Sequence, residues 1–155
     1  MITADILEPP AGDATQALDD MGKAVAPLMA EAWKENGKFY GGRAFSLNAP
    51  ALAQMWLSGD LKVFVACDED AKPCGYLCGL VFRPLQYDGK VFQITEWFGR
   101  TQEAERVLFE TALNAMKFLG VSEAVATLRR GERIPELPSR WREAGRQEQV
   151  RLVKE

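Results

Sequence analysis

The sequence predicts a mixed α/β domain, and three observations predict it. Two segments, Leu18 to Trp33 and Ala104 to Leu119, repeat their apolar residues at the helical period. Between them lie three consecutive strand-like runs rich in Val, Phe and Ile. The chain has 155 residues and is 47% hydrophobic, enough for one core, so residues 1–155 are expected to form a single domain.

The elements follow in order. Residues 2 to 8 read as a short strand, ended by Pro9 and Pro10, which lack a ladder N–H. Asp13 or Thr15 caps a helix running to about Asn36, with Leu18, Met21, Val25, Leu28, Met29 and Trp33 on one stripe. Pro27 is placed to kink this helix or divide it, and Gly37 stops it. Residues 37 to 48, with Gly37, Gly41 and Gly42, form a loop. Asn48-Ala49-Pro50 opens a second helix, with Pro50 in its first turn, where the missing N–H costs nothing.

The strands are expected at Leu61–Cys67, Cys74–Arg83 and Val91–Phe98. Gly75 and Gly79 fall on one face of the second, and glycines in a strand mark bulges or close backbone approach. Asp88-Gly89 is a hairpin signal. Thr101 to Leu119 is a helix with Ala104, Val107, Leu108, Thr111, Ala112, Ala115, Met116 and Leu119 on one side and Gly120 at its C-cap. A strand from Glu123 to Leu128, a short helix from Pro138 to Glu143 and a last strand from Gln147 to Val153 complete the order.

Composition narrows the chemistry. The net charge of -3, with 19 basic against 22 acidic residues, is no footprint for nucleic acid or an anionic membrane. No apolar run approaches the roughly 20 residues of a membrane span, and the N-terminus lacks a signal-peptide pattern. A cytoplasmic protein with reduced cysteines is expected. Cys67, Cys74 and Cys78 are an odd set, and without any His a fourth metal ligand is missing, so no metal site is expected. Cys74 and Cys78 have the same parity and should share a strand face. The lack of His also removes Ser-His-Asp and Cys-His machinery, which leaves acid–base work to carboxylates, Tyr, Cys or Lys. Arg129, Arg130, Arg133, Arg140, Arg142 and Arg146 form a local basic cluster, but Glu132, Glu136, Glu143 and Glu148 interleave with it, which favours a self-paired surface over an anion site.

The order strand, helix, helix, three antiparallel strands, long helix, strand, short helix, strand resembles the GNAT N-acyltransferase fold from end to end. So do three local segments: Leu61–Asp68 followed by Cys74-Gly75-Tyr76-Leu77, then Phe118-Leu119-Gly120-Val121, then Trp141–Arg146 before a final strand. The resemblance implies a central, mostly antiparallel mixed sheet flanked by helices. Arg83–Tyr87, in the long second hairpin, also resembles short acyltransferase-like proteins of tailed bacteriophages.

The resemblance also implies a site. The family grips the pyrophosphate of acetyl-CoA with Arg or Gln, then x-x-Gly-x-Gly or Ala, at the start of the long helix. Backbone N–H groups at a helix N-terminus attract anions, and glycines let phosphate approach. Here Arg100 takes the first position, and Glu103 and Glu105 stand where the glycines belong. Carboxylates there repel phosphate, although acidic residues also suit the first turn of any helix. A shifted register would use Gly99 instead. CoA is thus expected along Trp97, Phe98, Gly99, Arg100, Thr101 and Gln102, with the backbone near Trp97 and Phe98 pairing with the pantetheine arm.

Glu96 is the candidate general base. Its alternation with Phe92, Ile94 and Phe98 puts it on an apolar face, where a carboxylate's pKa rises; an edge carboxylate in solvent or paired with Arg100 is the plainer alternative. Tyr40 is the substrate-side candidate. A Tyr general acid near the C-terminus is missing, since Trp141 stands there. Two readings remain at this point. One is an acyltransferase using acetyl-CoA and a small-molecule or peptide amine. The other is a GNAT-shaped module without CoA chemistry that binds a protein partner, in a phage particle or as a phage-encoded modulator. A homodimer through the final strand or the long hairpin is compatible with either.

Overall fold

In the computed structural model, residues 1–36, 43–128, 132–147, 152 and 154 are described. The sheet has five strands in the order β1-β2-β3-β4-β5: Thr3–Ile6, Leu61–Cys67, Pro73–Phe82, Val91–Gly99 and Glu123–Ala126. The first four are antiparallel neighbours, and β5 joins β4 in parallel. Helices α1 (Thr15–Asn36) and α2 (Ala49–Leu57) cover one face, and α3 (Gln102–Phe118) covers the other.

Each face has its own core. Val63, Val65, Tyr76, Cys78 and Phe98 pack on Met21, Val25 and Leu28 of α1 and Trp56 of α2. Phe64, Leu77, Phe92, Ile94 and Trp97 pack on Leu108, Phe109, Ala112 and Met116 of α3. The α1 stripe is as expected, and the helix runs through Pro27 without a break. Asn48 caps α2 by accepting the Ala51 N–H at 3.2 Å. Trp56 anchors α2 by donating its indole N–H to Leu7 O at 2.8 Å.

Several expectations need correcting. The buried face of α3 includes Phe109 and Leu113 and leaves Leu119 exposed, because Phe109 meets the Trp97 ring edge-on, with centroids 5.2 Å apart. Gly120 does adopt the left-handed conformation, at φ 76°. The Asp88-Gly89 pair does lie in the connection of the β3–β4 hairpin, although that connection, residues 83–90, is longer than a two-residue turn. Residues 138–143 form no helix: the Trp141 N–H donates to Pro138 O at 3.1 Å, and Arg140 sits at φ 74°, so the chain turns once and moves on. Most of the expected last strand, and Arg129 and Arg130, lie outside the described residues.

Two bulges change which side chains share a face. Ala66 opposes Gly75 while Cys67 opposes Pro73, so Cys74 is extra. Cys74 therefore packs toward α3 while Cys78 packs toward α1, and the two do not share a face. In β4, Glu96 opposes Cys78 and Ile94 opposes Gly79, so Thr95 is the extra residue. Gly75 and Gly79 do share the α3 face. A Cβ on Gly75 would stand 3.0 Å from Leu108 Cδ1, and one on Gly79 would stand 2.4 Å from Phe92 Cζ.

Candidate active site

The Thr95 bulge sets the position of Glu96. Up to Ile94, alternate β4 side chains enter the α3 core. One extra residue reverses the alternation, which sends Trp97 to α3 and Phe98 to α1. Glu96 thus shares a face with Phe98 but not with Phe92 and Ile94, contrary to the expectation from strict alternation. The Thr95 hydroxyl donates to Cys78 O at 3.1 Å and steadies the bulge.

Glu96 lines a cavity of about 240 Å³ between α1, residues 45–48, α2 and β4. Trp33 and Phe45 face each other across one wall, with ring centroids 6.1 Å apart. Trp33 is held by its indole N–H, which donates to Arg43 O at 2.6 Å. Met29, Leu47 and Leu52 add apolar surface, and Tyr76 closes the β3 side. Behind Glu96, burial pushes the Cys78 thiol well above its ordinary pKa, and the Glu96 charge adds to the shift. The thiol stays neutral and is no nucleophile here.

Beside Glu96 the sheet opens. β5 ends at Ala126, and the Thr127 N–H donates to Ile94 O at 3.2 Å. Past Ile94, β4 continues for five residues to Gly99 with no β5 partner among the described residues. This outer edge, at Trp97 and Phe98, is where an extended amide-bearing chain has backbone to pair with.

The turn into α3 is differently arranged. The Arg100 N–H donates to Cys74 O at 2.9 Å. Its guanidinium holds Glu31 of α1 through Nε at 3.1 Å and Nη2 at 3.0 Å. The Thr101 hydroxyl caps α3 by accepting the Ala104 N–H at 3.1 Å, and Thr101 O accepts the Glu105 N–H at 3.3 Å. Glu103 is exposed and Gln102 begins the helix. Glu105 turns inward: its Cγ would lie 2.7 Å from a Cβ on Gly99, and its carboxylate faces the Gly99 N–H. Burial raises the Glu105 pKa, an effect partly offset by that N–H.

Three contacts crowd this turn, where the family resemblance puts the diphosphate of CoA. The Ala104 and Glu105 N–H groups are bonded to Thr101, a carboxylate stands at Gly99, and Arg100 is paired to Glu31. Of the expected site residues, Glu96 reaches the cavity, Trp97 and Phe98 flank the open edge on opposite faces, and Gly99 to Gln102 form the turn. Tyr40 lies outside the described residues. Trp33, Phe45 and Glu31 were not singled out from sequence. Trp33 is indistinguishable from core on a helical stripe, and Glu31 only acquires meaning from its partner 69 residues away.

The fold, a mixed sheet with an antiparallel hairpin block and a crossover helix to a parallel strand, matches that of GNAT acetyltransferases of known structure. A structure described as a probable acetyltransferase covers 100% of this chain and 99% of its own, with TM-score 0.65 and 13% identity. An aminoglycoside acetyltransferase from an uncultured soil metagenomic sample, solved with sisomicin, has TM-score 0.56 and 15% identity over 82% of this chain and 77% of its own. Glucosamine-6-phosphate N-acetyltransferase from Arabidopsis thaliana has TM-score 0.57 and 14% identity over 81% and 82%. No protein-family model and no curated protein sequence matches the chain. Among the described residues, no helix is long and apolar enough to cross a membrane, and no group of three His, Cys, Asp or Glu is placed to hold a metal.

Proposed function

We propose that the chain is an N-acyltransferase that receives a primary amine in the cavity at Glu96. The observation that carries this reading is the bulge at Thr95, which turns Glu96 out of the α3 core and into the cavity beside the open edge of β4. An acyl-CoA donor would supply the thioester carbonyl carbon, its C–S bond breaking as the C–N bond forms and CoA leaving as a thiolate that takes a proton from solvent. The cavity's part is to hold the amine, exclude water along Trp33, Phe45 and Leu47, and accept the amine's proton at a Glu96 carboxylate oxygen. Tyr40, which follows α1 in the sequence and lies outside the described residues, is proposed on the acceptor side on the strength of the family resemblance. The acetyltransferase names of the fold's solved relatives support the reaction class.

A second reading is favoured by one specific contact. Glu105 against Gly99 places a carboxylate where the fold's phosphate grip belongs, which suits a GNAT-shaped binding module that takes no CoA. Calorimetric titration with acetyl-CoA and with CoA separates the two. Micromolar binding supports the acyltransferase, and an acceptor screen follows. No heat and no thermal shift at millimolar ligand leaves the binding module.

A further inference from the structure

We infer that the Glu96 cavity selects a singly charged primary amine on an apolar or aromatic stem, and discriminates against polyamines and aminoglycosides. The inference rests on the reading of this cavity as an acceptor site and narrows it. Glu96 is the one charged residue among the described residues lining the cavity. Its carboxylate has several acceptor sites, so it can take an ammonium alongside its existing contacts. The remaining walls carry no charge: Trp33 and Phe45 offer ring surface, Met29, Leu47 and Leu52 offer aliphatic surface, and Asn36, Ser46 and Asn48 add neutral polar groups. A second or third ammonium brought into this space meets no further carboxylate among those residues, and a charge taken from water without a counter-charge is costly.

Size points the same way. At about 240 Å³ the cavity lies below the roughly 300–1,000 Å³ typical of drug-sized ligand sites. A space of this size holds one ring or a short chain within its walls. The aminoglycoside-bound relative therefore shares this chain's fold without predicting its acceptor.

The test is calorimetric titration of the whole chain, with no acyl donor present, using phenethylamine, 2-phenylethanol and spermidine as probes. Phenethylamine is expected to bind at least about tenfold tighter than either of the others. Glu96→Gln, nearly isosteric, should bring phenethylamine down to the level of the alcohol while the melting temperature holds. Trp33→Leu, checked for folding in the same way, should weaken both aromatic probes together. The proposal is overturned if the alcohol matches the amine, if spermidine binds tightest, if Glu96→Gln changes nothing, or if no probe binds. Because no donor is present, a chain that binds phenethylamine yet transfers no acyl group loses the proposed reaction and keeps this specificity. A chain that acylates spermidine in preference keeps the reaction and loses this specificity.

Discussion

Glu105 lies over Gly99 at the turn from β4 into α3, its Cγ 2.7 Å from where a Cβ on Gly99 would stand and its carboxylate facing the Gly99 N–H. An internal carboxylate thus sits at the turn into α3, near the end of a helix whose N–H groups attract anions. Replacing Glu105 with Gln removes the charge and keeps an acceptor for that N–H. The expected result is CoA binding tightened by about tenfold, roughly 1.4 kcal/mol. Glu103→Gln, which alters an exposed residue, should do less. Calorimetry on both variants checks the order, and equal effects would count against the Gly99 contact as the cause.

The same residue sets a pH dependence. Burial raises the Glu105 pKa in the folded chain, so the native state holds this proton more readily than the unfolded state. Its contribution to stability is fully present below the ordinary carboxylate value and is lost as pH rises through the raised one. Urea unfolding from about pH 4 to about pH 7 should therefore show a smaller fall in stability for Glu105→Gln than for the parent. The difference should stay below about 1 kcal/mol, since the side chain is only half buried.

Glu96→Gln should lower kcat by about a hundredfold or more once an acceptor is found, if Glu96 takes the amine proton. The melting temperature should hold, because the substituted side chain faces a cavity rather than a core. A variant with the parent's rate would remove Glu96 from the reaction.

Gly79→Ala should destabilise the fold by about 1–3 kcal/mol in urea unfolding. Its Cβ would fall 2.4 Å from Phe92 Cζ and 2.7 Å from Gln93 O, so both a core ring and the β4 backbone must move. Gly75→Ala meets Phe98 O at 2.9 Å and the flexible tip of Leu108 at 3.0 Å, and should cost less.

Much of the fold is legible in the sequence because its signals are local. The Val- and Phe-rich run Leu61–Cys67 is a strand over the expected residues, and Asn48 and Thr101 cap α2 and α3 with their own side chains. The short helix at 138–143 misleads because Pro138 and Trp141 imitate a helix start and an apolar stripe in a segment too short to bury one. Parity in β4 fails for a different reason. The sequence alternates without interruption through Thr95, and the bulge is set by register against β3, whose Gly79 is covered by the Phe92 ring. Gly79 is the one sequence signal that pointed there. The cavity is less legible still, since Trp33, Phe45, Tyr76 and Glu96 come from four separated stretches of chain.

The Thr95 bulge makes β4 a strand with two masters. Before it, Phe92 and Ile94 answer to α3; after it, Glu96 and Phe98 answer to α1 and α2. Trp97 is the shared residue, lining the cavity while packing on Phe109 of α3; substitutions at α1, α2 and residues 45–48 that do not touch it should add in stability to changes under α3. A fold divided in this way lets the cavity side vary in sequence while most of the α3 layer stays as it was.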